Sequence, residues 1–208
     1  MNSIHLKIGT LLLSILQITI SAAQTILEPK ETSYSIYQEW IIAEYFDRVS
    51  ISDGITLHVL TGENQKVQVQ ANEGLLKCIT MEVSEGLLQI NAPCNKRGSN
   101  EILVQIKLPT IRYIKASKKS RIYALNSIKN KNLNLKSLHH SNIYITAEVE
   151  NLQLESSYYA GIYINGSTKN CKTKSKWGGI IDVQDLTIGF DYDTYKEGEV
   201  STRGNHPF

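Results

Sequence analysis

Four stretches of this chain repeat one pattern at almost fixed spacing: Ala116 to Tyr123, Ser137 to Tyr144, Ser156 to Tyr163 and Ser175 to Asp182. The leading small residues lie 21, 19 and 19 positions apart, and each copy has an isoleucine six positions on: Ile122, Ile143, Ile162 and Ile181. With the small residue as offset zero, offset minus two holds Ile114, Leu135, Leu154 and Thr173, and offset eight holds Ala124, Ile145, Ile164 and Val183. Alternation of period two on both sides of a short bend, renewed every twenty residues or so, is what a chain coiling around a narrow core requires. The expected fold is therefore all-β, a solenoid with rungs of about 19–21 residues. In such a fold the offset decides which side chains stack, so outward columns can be read from the sequence. Arg112 breaks the apolar pattern at offset minus four and is read as the edge of the stack. Leu186 to Phe190 is read as a shorter fifth unit capping the other end.

Upstream of the repeats, Val49–Ile51, Ile55–Val59, Lys66–Gln70, Met81–Val83, Leu87–Ile90 and Ile102–Ile106 alternate as strands with one buried face. Asn72 to Ile79 departs from that alternation, with Asn72 placed to cap one short helix. The expected organisation is a lead-in over 24–39, flexible in character, then a single domain over 40–208. Its head part covers 40–109, and its rungs and cap cover 110–208.

The N-terminus carries Lys7, a short apolar run from Ile8 to Ile20, and Ser21-Ala22-Ala23. Small residues at the last and third-last positions suit a signal peptidase, which predicts a signal peptide over 1–23 cleaved after Ala23. The run falls short of the roughly 20 residues that span a bilayer. The expectation is an exported protein, periplasmic, surface-held or extracellular, with no membrane span in the mature chain.

Lys and Arg number 22 against 20 Asp and Glu, a near-balance that argues against nucleic acid as partner, since tracking phosphates needs a clustered excess of cations. Among three cysteines at most one bridge can form within the chain. Cys171 takes an inward offset, where a free thiol packs as a small apolar group, so Cys78 and Cys94 are the candidate pair, although spacing alone does not fix pairing. No CxxC or His-x-x-x-His spacing points to a metal. His139 and His140 are adjacent, so on a strand they point to opposite faces, and Asp191 with Asp193 reads as a solvated edge. No metal and no cofactor are expected.

The segment Phe46-Asp47-Arg48-Val49-Ser50-Ile51-Ser52-Asp53-Gly54-Ile55-Thr56-Leu57 resembles the head motif of the auto-transporter adhesin family, head GIN domain. The resemblance runs from about Tyr45 to Asp193, with Ser117, Ser120, Ser141, Gly161 and the four isoleucines at matching repeat positions. It implies a right-handed β-helix in secreted or surface proteins. The chain departs from that family at offsets two and three, where Gly-Ala is usual. These hold Lys118-Lys119, His139-His140, Tyr158-Tyr159 and Trp177-Gly178.

Rungs stacked about 4.8 Å apart would align Lys118, His139, Tyr158 and Trp177 in one column. Tyr123, Tyr144 and Tyr163 would form a second, at offset seven. Sugar rings stack their C–H faces on exposed aromatics, so the expected function is a non-catalytic, adhesin-like binding module that meets glycans or other surface ligands through these seven residues. Two other readings differ in kind. A self-assembling envelope protein, a homo-oligomer, would pair through an unpaired edge strand. A polysaccharide lyase or hydrolase would need paired carboxylates, for which Glu155, Asp182 and Asp185 are the candidates. The chain has no G-x-S-x-G and no H-E-x-x-H, and we read it as a non-enzyme.

Overall fold

A computed structural model describes residues 35–95, 101–196 and 198–201. The expected signal peptide, its cleavage site and residues 24–34 of the lead-in lie outside them. In chain order the elements are β1 (Ser35–Trp40), β2 (Arg48–Ile51), β3 (Thr56–Thr61), β4 (Lys66–Asn72), α1 (Glu73–Leu76), β5 (Thr80–Ser84), β6 (Leu87–Asn91) and β7 (Leu103–Leu108). They continue with β8 (Tyr113–Ala116), β9 (Arg121–Ala124), β10 (Ile128–Leu138), β11 (Asn142–Ser157), β12 (Gly161–Lys176), β13 (Ile180–Asp182), β14 (Leu186–Lys196) and β15 (Glu199–Ser201). The fold is an all-β solenoid with one short helix.

The repeats stack as parallel rungs in register. Ala116 lies beside Ser137, Ser156 and Ser175 in turn. The isoleucine column extends beyond the repeats in both directions. Val104, Leu57, Ile122, Ile143, Ile162, Ile181 and Val200 are successive lateral neighbours, all buried. Burying each aliphatic side chain contributes about 1.5–3 kcal/mol, and the in-register parallel strands offer it aliphatic neighbours from the adjoining rungs.

The buried serines at offset zero close the turns. Ser137 Oγ donates to the Ser141 carbonyl at 2.8 Å, Ser156 Oγ to Ala160 at 2.7 Å and Ser175 Oγ to Gly179 at 2.7 Å. Each of these carbonyls also accepts a backbone N–H from the next rung, Gly161 N at Ser141, Ile180 N at Ala160 and Glu199 N at Gly179, so the serine bond satisfies the buried hydroxyl and ties the turn to the ladder. On a further corner Asn151 Nδ2 donates to Asn132 Oδ1 and Asn170 Nδ2 to Asn151 Oδ1, at 2.9 and 2.8 Å, an amide ladder absent from the sequence reading.

Two expectations are corrected. Arg112 is not the edge of the stack: β2 pairs with β8 and β6 with β2, while β3 pairs with β9 and β7 with β3. Two head rungs thus continue the same coil, and Arg112 spends its exposed guanidinium on Asp47 at 2.6 Å. The lead-in is shorter than expected, since Ser35–Trp40 form β1, antiparallel to β4. Its residues 35–39 are exposed, so no buried face marks the strand in the sequence. Gln65 fastens the link that follows, donating from Nε2 to the carbonyls of Ile42 and Glu44 at 3.1 and 2.9 Å.

The helix forms as expected, with Asn72 Oδ1 accepting from Leu75 N at 2.8 Å and Leu75 buried. Cys78 and Cys94 form a disulfide, Cα to Cα 6.0 Å, while Cys171 is free and buried. The fifth unit exists as β14, parallel to β12. A register shift between Thr168 and Asn170 lies opposite Gly189 and Phe190, and Phe190 is extruded to 84% exposure. Bulges and edge charges such as Asp191 and Asp193 discourage further strand pairing.

Loss of packing in the column is expected to dominate stability. Ile162→Ala should cost about 2–5 kcal/mol, and Ser156→Ala about 0.5–1.5 kcal/mol through loss of the turn-closing hydroxyl bond, the Ala160 carbonyl keeping its bond from Ile180 N, both read by urea denaturation. A Ser156→Ala chain as stable as wild type would contradict the turn-closing role.

Candidate functional site: stacked columns on the solenoid surface

Between offset zero and offset four the chain reverses direction, and it does so through two consecutive left-handed residues in every repeat. The φ values are 53° and 66° at Lys118 and Lys119, 52° and 61° at His139 and His140, 56° and 57° at Tyr158 and Tyr159, and 46° and 72° at Trp177 and Gly178. Each non-glycine residue there costs about 1–2 kcal/mol. The turns are held because they hydrogen-bond to one another: Lys119 N donates to His139 O, His140 N to Tyr158 O and Tyr159 N to Trp177 O, at 3.0, 3.0 and 3.2 Å. Ring stacking offsets more of the strain. His139 lies on Tyr158 at 4.7 Å and 8°, Tyr158 on Trp177 at 4.6 Å and 31°, and His140 on Tyr159 at 5.6 Å and 7°. Such pairs contribute roughly 0.5–1.5 kcal/mol beyond buried area.

Lys118, His139, Tyr158 and Trp177 therefore stand in one column, and its foot is a residue the sequence reading treated only as a turn. Asp53, with φ 66°, is the head rung's offset two, because Ile51 pairs with Ala116 and Thr56 with Arg121. Lys118 Nζ meets Asp53 Oδ1 at 3.0 Å. Asp53 Oδ2 accepts from Ser52 Oγ at 2.6 Å and Ala92 N at 3.3 Å. Burial works to raise the Asp53 carboxyl, but the Ser52 hydroxyl, the Lys118 ammonium and the Ala92 amide together hold it below the ordinary value.

The second column sits in a different setting. Tyr123 stacks on Tyr144 at 5.1 Å and 7°, and Tyr144 on Tyr163 at 4.8 Å and 8°, with His58 of the head edge-on to Tyr123 at 5.8 Å. All three tyrosines are half-buried and line a groove of about 300 Å³ with Asn165, Asp182 and Asp185. Burial first, then the neighbouring phenols of Tyr163 and Tyr123, raise the Tyr144 hydroxyl above its usual value. Gly161 makes room for the ladder: a Cβ there would come within 2.7 Å of the Tyr163 ring.

Stacking changes what both columns offer. A ring lying between two others has spent both faces, leaving edges and hydroxyls for a ligand. Open faces belong to the ends. Trp177 is 53% exposed and carries Lys176 Nζ at 5.6 Å from its centroid. Tyr163 is followed on the next rung by Asp182 rather than a ring.

The family model described as "Putative auto-transporter adhesin, head GIN domain" matches residues 45–190. The chain belongs to this family. Among solved structures, a "putative adhesin" from Bacteroides fragilis superposes with TM-score 0.71 at 13% identity, covering 82% of this chain and 81% of that one. A second "putative adhesin", from Parabacteroides merdae, gives 0.67 at 15% identity over 81% and 77%. A "putative lipid binding protein" from Parabacteroides distasonis gives 0.60 at 12% identity over 82% of each chain. At these identities the likeness is one of fold. Curated proteins contain no match. Membership in the adhesin family supports a non-catalytic surface-binding module. Among the described residues no helix is long and apolar enough to cross a membrane, and no three His, Cys, Asp or Glu gather as metal ligands.

Because the folded-state pKa of Asp53 is depressed, its contribution to stability is complete above the usual carboxylate value of 3.8 and is lost as pH falls through the folded value. Asp53→Asn is expected to be less stable than wild type at pH 7 and to show a flatter fall in unfolding midpoint between pH 5 and pH 2, followed by circular dichroism. Parallel acid curves for the two proteins would contradict this role.

Proposed function

We propose that this head GIN domain is an exported adhesin-type module that holds a neutral glycan at the Tyr163 end of the tyrosine groove. The observation that carries the reading is the meeting, in one concave place, of a terminal aromatic ring with Asp182, Asp185 and Asn165. A sugar's C–H face would lie on Tyr163, the carboxylates and carboxamide would take its hydroxyls, and the phenols of Tyr144 and Tyr123 would continue the contact along the groove. Pockets that pair an apolar platform with a few convergent polar groups fix both affinity and orientation. The turn column supports a second subsite through the outer face of Trp177, with Lys176 beside it. Lys118, His139 and Tyr158 then act mainly by building the column beneath that face. An exported location fits the family's adhesin character and the leader-like N-terminus.

A neutral-glycan array read with wild type, Tyr163→Ala, Asp182→Asn and Trp177→Ala tests this. Tyr163→Ala and Asp182→Asn are each expected to weaken the bound glycan about tenfold or more, which is roughly 1.4 kcal/mol, with Trp177→Ala weakening it less. Loss confined to Trp177→Ala would move the site to the turn column. A wild type that retains no neutral glycan would overturn the reading.

A further inference from the structure

The near-balance of charge in the sequence conceals a separation that rung stacking creates. On the face formed by β8, β10 and the C-terminal halves of β11 and β12, offset minus one holds Lys115, Lys136, Glu155 and Lys174 as successive neighbours. Offset minus three on the same face holds Tyr113, Asn134, Gln153 and Lys172. Glu155 is neutralised within the face by Lys136 at 2.9 Å. Lys115, Lys172 and Lys174 make no ion pair among the described residues, and Lys172 and Lys174 are exposed. Two residues apart on one strand, they point the same way about 6.6 Å from one another. A shallow groove of about 240 Å³ runs past them, lined by Asn134, Gln153, Glu155, Lys172 and Lys174. The tyrosine groove, in contrast, ends at Asp182 and Asp185.

We infer that this lysine face binds an acidic polysaccharide, a chain carrying carboxylates among its hydroxyls, at a surface distinct from the tyrosine groove. Charge complementarity names the ligand class. Unpaired ammonium groups spaced along a strand meet carboxylates, and the carboxamides of Asn134 and Gln153 are placed for the hydroxyls between them. Between β8 and β12 this face offers a nucleic acid little to stack on: its ring there, Tyr113, is half-buried, whereas single strands are held by bases stacking on open aromatics. On the next rung Asp193 is the lateral neighbour of Lys172, so the face sets Lys115, Lys136, Lys172 and Lys174 against Glu155 and Asp193, an excess of cations that arises only once the rungs are in register.

The full chain should be titrated with polygalacturonate, with dextran as the neutral control and a single-stranded DNA oligonucleotide as the other polyanion, across a salt series. Polygalacturonate is expected to bind at low salt and weaken as salt rises, and Lys172→Gln with Lys174→Gln should reduce its affinity at least tenfold. Removing two phosphate-type contacts lowers the slope of log affinity against log salt by about two, and a similar drop is expected here. Both lysines are exposed, so the double variant should keep its unfolding midpoint. Tyr163→Ala should leave polygalacturonate binding unchanged, which separates this surface from the neutral-glycan site whichever way that site's own test falls. The inference is overturned if polygalacturonate is not bound at low salt, if the double variant binds it as well as wild type, or if DNA binds equally tightly.

Discussion

The parallel, in-register ladder between rungs is the interaction on which the rest of this molecule depends. One hydrogen-bond register sets every column at once, because a slip of one residue would turn each inward side chain outward. Isoleucine at offset six is the lock: Ile122, Ile143, Ile162 and Ile181 are each fully buried and pack where the neighbouring rung presents an aliphatic residue at the same height, Leu57 and Val200 continuing the column at its ends. The serine at offset zero adds a second restraint by fastening its turn to the carbonyl four residues on. Together they fix the bend closely enough that two left-handed residues can follow one another in every repeat.

That rigidity turns a repeat into a set of surfaces with different chemistry. Each outward offset becomes a line of side chains about 4.8 Å apart, so one substitution per repeat is enough to build an aromatic stack, an amide ladder or a lysine row. The bulky residues at offsets two and three make the point. In a single isolated turn Tyr158 and Tyr159 would be strained without return, but here each ring rests on a histidine of the rung before it. Stacking also decides where a ligand can act. Rings inside a stack are structural, and the ends of stacks and the grooves beside them hold the accessible groups. This shifts the weight from the middle of the turn column to Tyr163 and its acidic neighbours.

Much of this was legible in the sequence, and the reasons for what was not are physical. The repeat period, the inward isoleucines and the helix capped by Asn72 could be read because burial imposes a period on the residues. The columns of Lys118, His139, Tyr158 and Trp177 and of Tyr123, Tyr144 and Tyr163 followed from offset arithmetic. The head rungs were missed as rungs because Val49 to Leu57 and Leu87 to Val104 are separated by hairpins and by β4, so their spacing is irregular even though their register is not. Asp53 escaped notice for the same reason, its role being visible only once the head turn is laid beneath Lys118. The strand β1 has no buried face along residues 35–39 and so no alternation to detect. The groove could not be foreseen at all, since it exists only where the tyrosine column, Asn165 and the corner carrying Asp182 and Asp185 meet in three dimensions.

Cysteine cross-linking tests the register most directly. A disulfide forms only between residues whose Cα atoms lie within about 7 Å. Tyr144 is the lateral neighbour of Tyr163, and Asn165 is the neighbour of Thr146. A chain carrying Tyr144→Cys and Tyr163→Cys is expected to form an internal disulfide under mild oxidation, seen by peptide mass mapping, whereas Tyr144→Cys with Asn165→Cys should stay reduced. Efficient bridging of the second pair, or none of the first, would contradict the stacking from which every surface column described above follows.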